Sequence, residues 1–295
     1  YPSVDIEPPH LVTGVNALQF SCERGEGFWG HFILDNVALQ CVYKPDSVRK
    51  RHPGLVDFFA RVVAPPCIEN DTVTLRLDIP QDSAPKIGSV EFIARYTGFD
   101  ENGNCDHSDW HGYTFKRERI SHVGNAVAFP FAIKWDVRLL PDQSTPLQFK
   151  AIVKFKDGLC YETAPTTGSL LRRSRESVQM FYCADAPVPF WSRAGVCKTA
   201  KIYSPIDPEK IVAAQLHIKI WDGGEGNVTE PFRINGHAYP VTSKRAIHDV
   251  VHSVLTIDPA HLVKGDNDVA LLSDTDHHGI EILRPGPCLI IRQRQ

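Results

Sequence analysis

The chain is 295 residues long, with 32 basic and 35 acidic side chains and a net charge of −3. That balance excludes the basic footprint of a nucleic-acid or anionic-membrane binder, and no apolar run reaches the ~20 residues of a helical membrane span. The length accommodates about two domains, each able to bury its own core.

In chain order, the first distinctive run is Gly25-Glu26-Gly27-Phe28-Trp29-Gly30, which matches GxGxxG. Nucleotide binding would need a strand before it and a helix after it. Here a strand-like stretch, Phe32–Tyr43, follows, and Phe28 and Trp29 fill the loop, so an aromatic loop at a sandwich edge is the reading. Residues 46–63 have room for a short helix beside His52-Pro53. Period-two alternation then takes over, with Val73, Leu75, Leu77 and Ile79, then Phe131, Ile133, Trp135 and Val137, then Phe149, Ala151, Val153 and Phe155. A period of two with one polar face predicts half-buried antiparallel strands.

The loop Asp100, Asn102, Asn104 and Asp106 places an oxygen at alternate positions, as a calcium loop does. Cys105 stands where an EF-hand has glycine, so a polar loop tied by a disulfide is the competing reading, with calcium as a structural ion in the other. The basic cluster Arg172-Arg173-Ser174-Arg175 reads as a solvated linker, with a processing site as the alternative. It divides the chain into an N-terminal unit, 1–172, and a C-terminal unit, 173–295, with 1–60 able to pack on either. Strands follow at Leu216–Trp221, Phe232–Asn235, Val254–Ile257, Val269–Leu272 and Cys288–Ile291, separated by turns such as Asn235-Gly236. Residues 245–255 fit a helical face as well as a strand. The fold class is therefore all-β: two antiparallel β-sandwich domains, Ig-like and then jelly roll.

Eight cysteines, Cys22, Cys41, Cys67, Cys105, Cys160, Cys183, Cys197 and Cys288, contain no CxxC pair. With the sequons at Asn70 and Asn227 they point to a secreted or secretory-lumen glycoprotein reinforced by disulfides, whose pairing stays open among about 105 connectivities. No GxSxG, HExxH or P-loop occurs. The densest titratable group is His277-His278 after Asp274 and Asp276, suited to a structural loop, to acid–base or hydrogen-bonding work, or to a metal ion if a loop frees both rings to one side.

Two segments carry a family likeness. Val90–Phe115, with Tyr96-Thr97-Gly98-Phe99-Asp100 and Trp110-His111-Gly112-Tyr113, and the run from His277-His278-Gly279 to Arg284-Pro285-Gly286-Pro287 resemble segments of secreted two-sandwich proteins of bacteria and fungi. Among these the chain is similar to fungal hetero-Diels–Alderases of tropolonic sesquiterpene pathways. The resemblance implies dehydration to a tropolone o-quinone methide and its cycloaddition to a macrocyclic terpene such as humulene, in an apolar cavity with no cofactor. It transfers no catalytic residue. By chemistry and segment position, His278, His111 and Arg284 are the expected acid and oxygen-polarising groups, and Trp110, Trp221 and His277 the expected substrate contacts. Small-molecule substrates are the partners implied; an oligomer is left open. The competing class is a secreted carbohydrate-binding or polysaccharide-acting protein, and a third is a structural β-protein.

Overall fold

The computed structural model describes residues 4–20, 39–99, 105, 107–112, 122–187, 189–192, 196–222, 230–240, 249–272 and 279–295. It is an all-β protein whose strands pair antiparallel, apart from the short parallel pair Leu170–Leu171 with Cys67–Ile68. The alternating runs become strands Thr72–Asp78, Ala132–Asp136, Gln148–Phe155 and Ile211–Asp222. Each sends one face inward because period-two side chains alternate across the pleat.

Two sheets enclose the first core. One is built from Arg61–Val63, Thr72–Asp78 and Ala132–Asp136, the other around Ile87–Thr97 and Gln148–Phe155. Val73, Leu75 and Leu77 from one layer join Val90, Phe92, Phe149 and Val153 from the other in a single apolar cluster. Trp135 meets Phe149 edge-on at 6.1 Å, a geometry that suits the ring quadrupoles.

The second core lies between a six-stranded and a four-stranded sheet. Ile211–Asp222 is the spine of the larger sheet. It pairs with Cys288–Arg294 and Ile280–Ile282 on one edge and with Asp249–Ile257 on the other. Leu216, Ile218 and Ile220 point inward against Phe232, Ile234, Val269 and Leu271. Asn235 (φ 49) and Gly236 (φ 86) close the hairpin between Phe232–Ile234 and His237–Tyr239. Two consecutive left-handed residues are what a tight two-residue hairpin demands.

Two expectations are revised and an open one is settled. Residues 249–257, which fit helix or strand equally, are strand, paired with the spine along their whole length. Among the described residues 39–43 there is no strand; the rest of the expected Phe32–Tyr43 strand, and the 25–30 glycine loop, lie outside the described residues. The Arg172–Arg175 linker is also more than a solvated spacer. The Arg173 guanidinium is largely buried against Asp142 and donates to the carbonyls of Val137 (2.7 Å) and Leu140 (2.9 Å). Arg292 likewise joins Asp71 (3.0 Å) to Glu176. The short helix Pro45–Arg51 overlaps the start of the expected 46–63 region, with proline at its first turn.

No disulfide links the described cysteines. Cys41, Cys67, Cys160, Cys183, Cys197 and Cys288 carry thiols, and Cys105 packs with Cys288 in one buried cluster. The disulfide reinforcement expected from the sequence is thus not present among the described residues, whose two cores are apolar clusters. Cys22 lies outside the described residues.

Candidate functional site

The chemistry-bearing residues gather on the outer face of the six-stranded sheet. Along the spine, alternation buries Ala214, Leu216, Ile218 and Ile220 and turns Gln215, His217, Lys219 and Trp221 to the opposite face. Register then builds a row across four strands, in which Trp191 stands opposite Glu281, Glu281 opposite Trp221, and Trp221 opposite Val250. Adjacent strands lie ~4.8 Å apart, so the two tryptophans flank the carboxylate at roughly 10 Å from each other. The next row places Lys219 opposite His252.

Gly279 lets this row form. A Cβ at that position would lie 1.8 Å from the Ser192 carbonyl oxygen and 2.9 Å from the Trp191 indole nitrogen. The strand edge can close on Phe190–Ser192 only where no side chain intervenes.

Beside the row lies a cavity of about 510 Å³, walled by Tyr182, Cys183, Phe190, Glu281, Arg284 and Cys105 among others. Its floor is the turn Leu283–Gly286, closed by a 2.9 Å bond from the Gly286 amide to the Leu283 carbonyl, with Gly286 at φ 92. That turn holds the exposed Arg284 at the cavity wall. The result is an aromatic hollow with one guanidinium and one carboxyl group on its border.

A second hollow of about 280 Å³ lies where the two β-units meet, lined by Tyr96, Phe99, His122, Trp135, Arg138 and His217. Phe99 reaches from the first unit onto the outer sheet face of the second, stacking on His252 at 4.9 Å and tilting against His217 at 5.4 Å. Burial lowers the His217 pKa to about 4. Burial, with His217 and Lys219 nearby, pulls His252 down as well. Both rings are therefore neutral hydrogen-bonding groups at neutral pH. Arg138 is engaged by Asp136 through 2.6 and 2.9 Å bonds, so this hollow offers little uncompensated charge.

The expected site residues divide. Trp221 and Arg284 come to the same sheet and its border. His111 and Trp110 belong to the first unit. His111 is only 4% exposed and stacked on Tyr96 at 4.0 Å, with Nε2 3.1 Å from the Tyr96 carbonyl. Burial holds its pKa at about 4, so it is a structural ring and no acid near neutrality. Trp110, on the opposite face of the same strand, lies under the Lys150 ammonium at 4.4 Å, a cation–π contact. His277, His278, Asn227 and the calcium positions Asp100, Asn102, Asn104 and Asp106 lie outside the described residues. Asn70 is exposed, as a glycan acceptor requires. Among the described residues no three His, Cys, Asp or Glu side chains are grouped to hold a metal ion.

Sequence reasoning missed Glu281, Lys219, His217 and His252. Glu281 did carry a signal, as a lone acid between Ile280 and Ile282 on a short strand. Its neighbours depend on register between distant strands, which no local pattern encodes.

No protein-family model and no curated protein matches the chain. Among solved structures, a beta-porphyranase of glycoside hydrolase family 86 from the human gut bacterium Bacteroides plebeius is similar over 80% of this chain and 37% of its own, at 12% identity and a TM-score of 0.35. A BuGH86 structure in complex with neoagarooctaose is similar over 78% of this chain and 33% of its own, at 10% identity and a TM-score of 0.34. Murine CEACAM1b covers 74% of this chain with 95% of its own, at 15% identity and a TM-score of 0.24. The chain thus spans about a third of the length of the glycoside hydrolases. Likeness at this level assigns no activity.

Proposed function

We propose that the chain is a cofactor-independent hetero-Diels–Alder cyclase acting at the Glu281–Arg284 hollow. The supporting observation is a cavity of about 510 Å³ that unites Tyr182 and Phe190 with Arg284 and Glu281. That volume lies within the ~300–1,000 Å³ of ordinary small-molecule sites.

The chemistry assigns one role to each group. The vicinal oxygens of a hydroxymethyl tropolone match the forked donors of Arg284, which stabilise negative charge as it develops on them. Glu281 accepts the ring hydroxyl proton and delivers it to the departing hydroxyl. The C–O bond breaks, water leaves, and the o-quinone methide remains. The methide then adds across an alkene, forming one C–C and one C–O bond, with no electrons or protons exchanged with the protein. Holding both partners in near-attack geometry replaces association entropy, which for such reactions is worth as much as about 7–11 kcal/mol. Trp191 and Trp221 supply a flat apolar surface beside the carboxylate for the terpene.

Removing Arg284 should then cost roughly a hundredfold in turnover, the range seen for loss of one oxyanion donor. Steady-state kinetics of Arg284→Ala and Glu281→Gln with a hydroxymethyl tropolone and humulene test the assignment. Turnover equal to that of the unaltered protein in both variants contradicts it.

One observation favours a second reading. The half-buried Trp191–Glu281–Trp221 row is also a surface on which a sugar ring could stack. Retention on an immobilised glycan array that is lost in Trp221→Ala would support carbohydrate binding instead.

A further inference from the structure

We infer that Cys105 and Cys288 are a redox-closable pair whose oxidation covalently staples the segment after strand Ile87–Thr97 to strand Cys288–Arg294, across the junction of the two β-units. The inference is independent of the cyclase reading.

Cys105 and Cys288 are packed together with Phe99 in a small buried cluster of their own, flanked by Met180 and separate from both large cores. Cys105 and Cys288 are thus neighbours in one buried cluster on the same side of the sheet. Cys183 is the nearest competitor in the fold. Its neighbour Tyr182 stands opposite Cys288 in the ladder, and the Cys183 amide donates to the Pro287 carbonyl at 3.3 Å. The Cys183 side chain, however, belongs to the inner core with Phe190 and Ala200. Cys288 points away from that core, since alternation on its strand sends Leu289 and Ile291 inward. Sheet faces therefore select Cys105 over Cys183 as the partner of Cys288.

Closure breaks two S–H bonds and forms one S–S bond. The two electrons and two protons pass to an incoming low-molecular-weight or protein disulfide, which leaves as two thiols. Burial, and the neighbouring Cys105 thiol, push the Cys288 pKa well above its ordinary value, so the closed fold exchanges slowly. The bridge forms while the chain is still folding, when the thiols are accessible and able to ionise. Once formed it spans most of the chain, and cross-links over long loops constrain the unfolded state most. Cys105 also lines the 510 Å³ cavity, so the staple fixes one of its walls.

The test is peptide mapping without reductant on the full chain, expressed through an oxidising secretory compartment and alkylated before digestion. The expected result is one linked species joining the Cys105 and Cys288 peptides, separated by reductant. Alkylation of both cysteines without reductant overturns the inference, and so does a bridge from either to any other cysteine. Thermal unfolding gives a second readout. Cys105→Ser and Cys288→Ser should each lower Tm by about 5–10 °C and abolish the effect of reductant on this transition. If either variant does not fold, the linkage map of the unaltered chain still decides. An unchanged Tm in both variants contradicts a stabilising staple.

Discussion

His111 shows how burial sets the behaviour of a single ionisable ring. Its folded pKa is about 4 against ~6.5 in an unfolded chain. The unfolded state therefore binds more protons between these values. The contribution to stability is complete above pH ~6.5 and is lost as pH falls toward 4. The shift corresponds to about 3 kcal/mol, and His217 and His252 act in the same direction. Urea unfolding at pH 7 and pH 5 should show a clear loss at the lower pH. His111→Phe, which keeps the stack on Tyr96, should flatten part of that slope; an identical pH dependence would contradict the burial argument. Gly279 gives a steric counterpart. Gly279→Ala must push the Ser192 backbone away, and overpacking of this kind costs about 1–3 kcal/mol. It should also blunt any activity that depends on the Trp191–Glu281–Trp221 row, read as a fall in kcat/KM with the circular dichroism of a folded β-protein retained.

The spine strand Ile211–Asp222 does two jobs, and its alternation separates them. Its inward residues hold the second core, and its outward residues carry the candidate site. Leu216 is fully buried, so Leu216→Ala should destabilise by about 2–5 kcal/mol. Chemical denaturation would detect that as a lower midpoint. Strands of this sort were legible in the sequence. Val73–Ile79, Phe149–Phe155 and Leu216–Trp221 each display a polar and an apolar face; the last two are strand throughout, and the first is strand as far as Asp78. The site was legible only in part. Trp221 and Arg284 stood out as residue types, and both reach the outer sheet or its border. Trp110-His111 stood out equally, yet adjacent strand positions face opposite ways and the pair serves the first unit. Glu281 and Trp191 become neighbours only through pairing between strands some ninety residues apart in sequence. The missing information is register, a long-range property fixed by which faces must be buried.

For the whole molecule, the junction between units combines polar bridges with a small apolar cluster around Phe99. Arg173 bridges to Asp142 and two carbonyls, while the Asp142 amide bonds to the Val178 carbonyl at 2.8 Å and the Val178 amide to the Asp142 carboxylate at 3.1 Å. Removing a guanidinium from such a set leaves buried acceptors unsatisfied, at a cost of about 1–3 kcal/mol. Arg173→Ala should therefore speed amide exchange at Val178 and lower Tm by several degrees, and exchange as slow as in the unaltered chain would show that the junction does not depend on it. The same junction carries Phe99 onto the outer sheet face and holds Cys105 beside Cys288. The hollow at Glu281 and Arg284 thus draws its walls from both units. The most direct test is to incubate the folded protein with a hydroxymethyl tropolone and humulene and resolve the adducts by chiral chromatography and mass spectrometry. The account predicts faster adduct formation than without protein, one dominant stereoisomer, and loss of both in Arg284→Ala. A rate and isomer ratio equal to the protein-free control would contradict it.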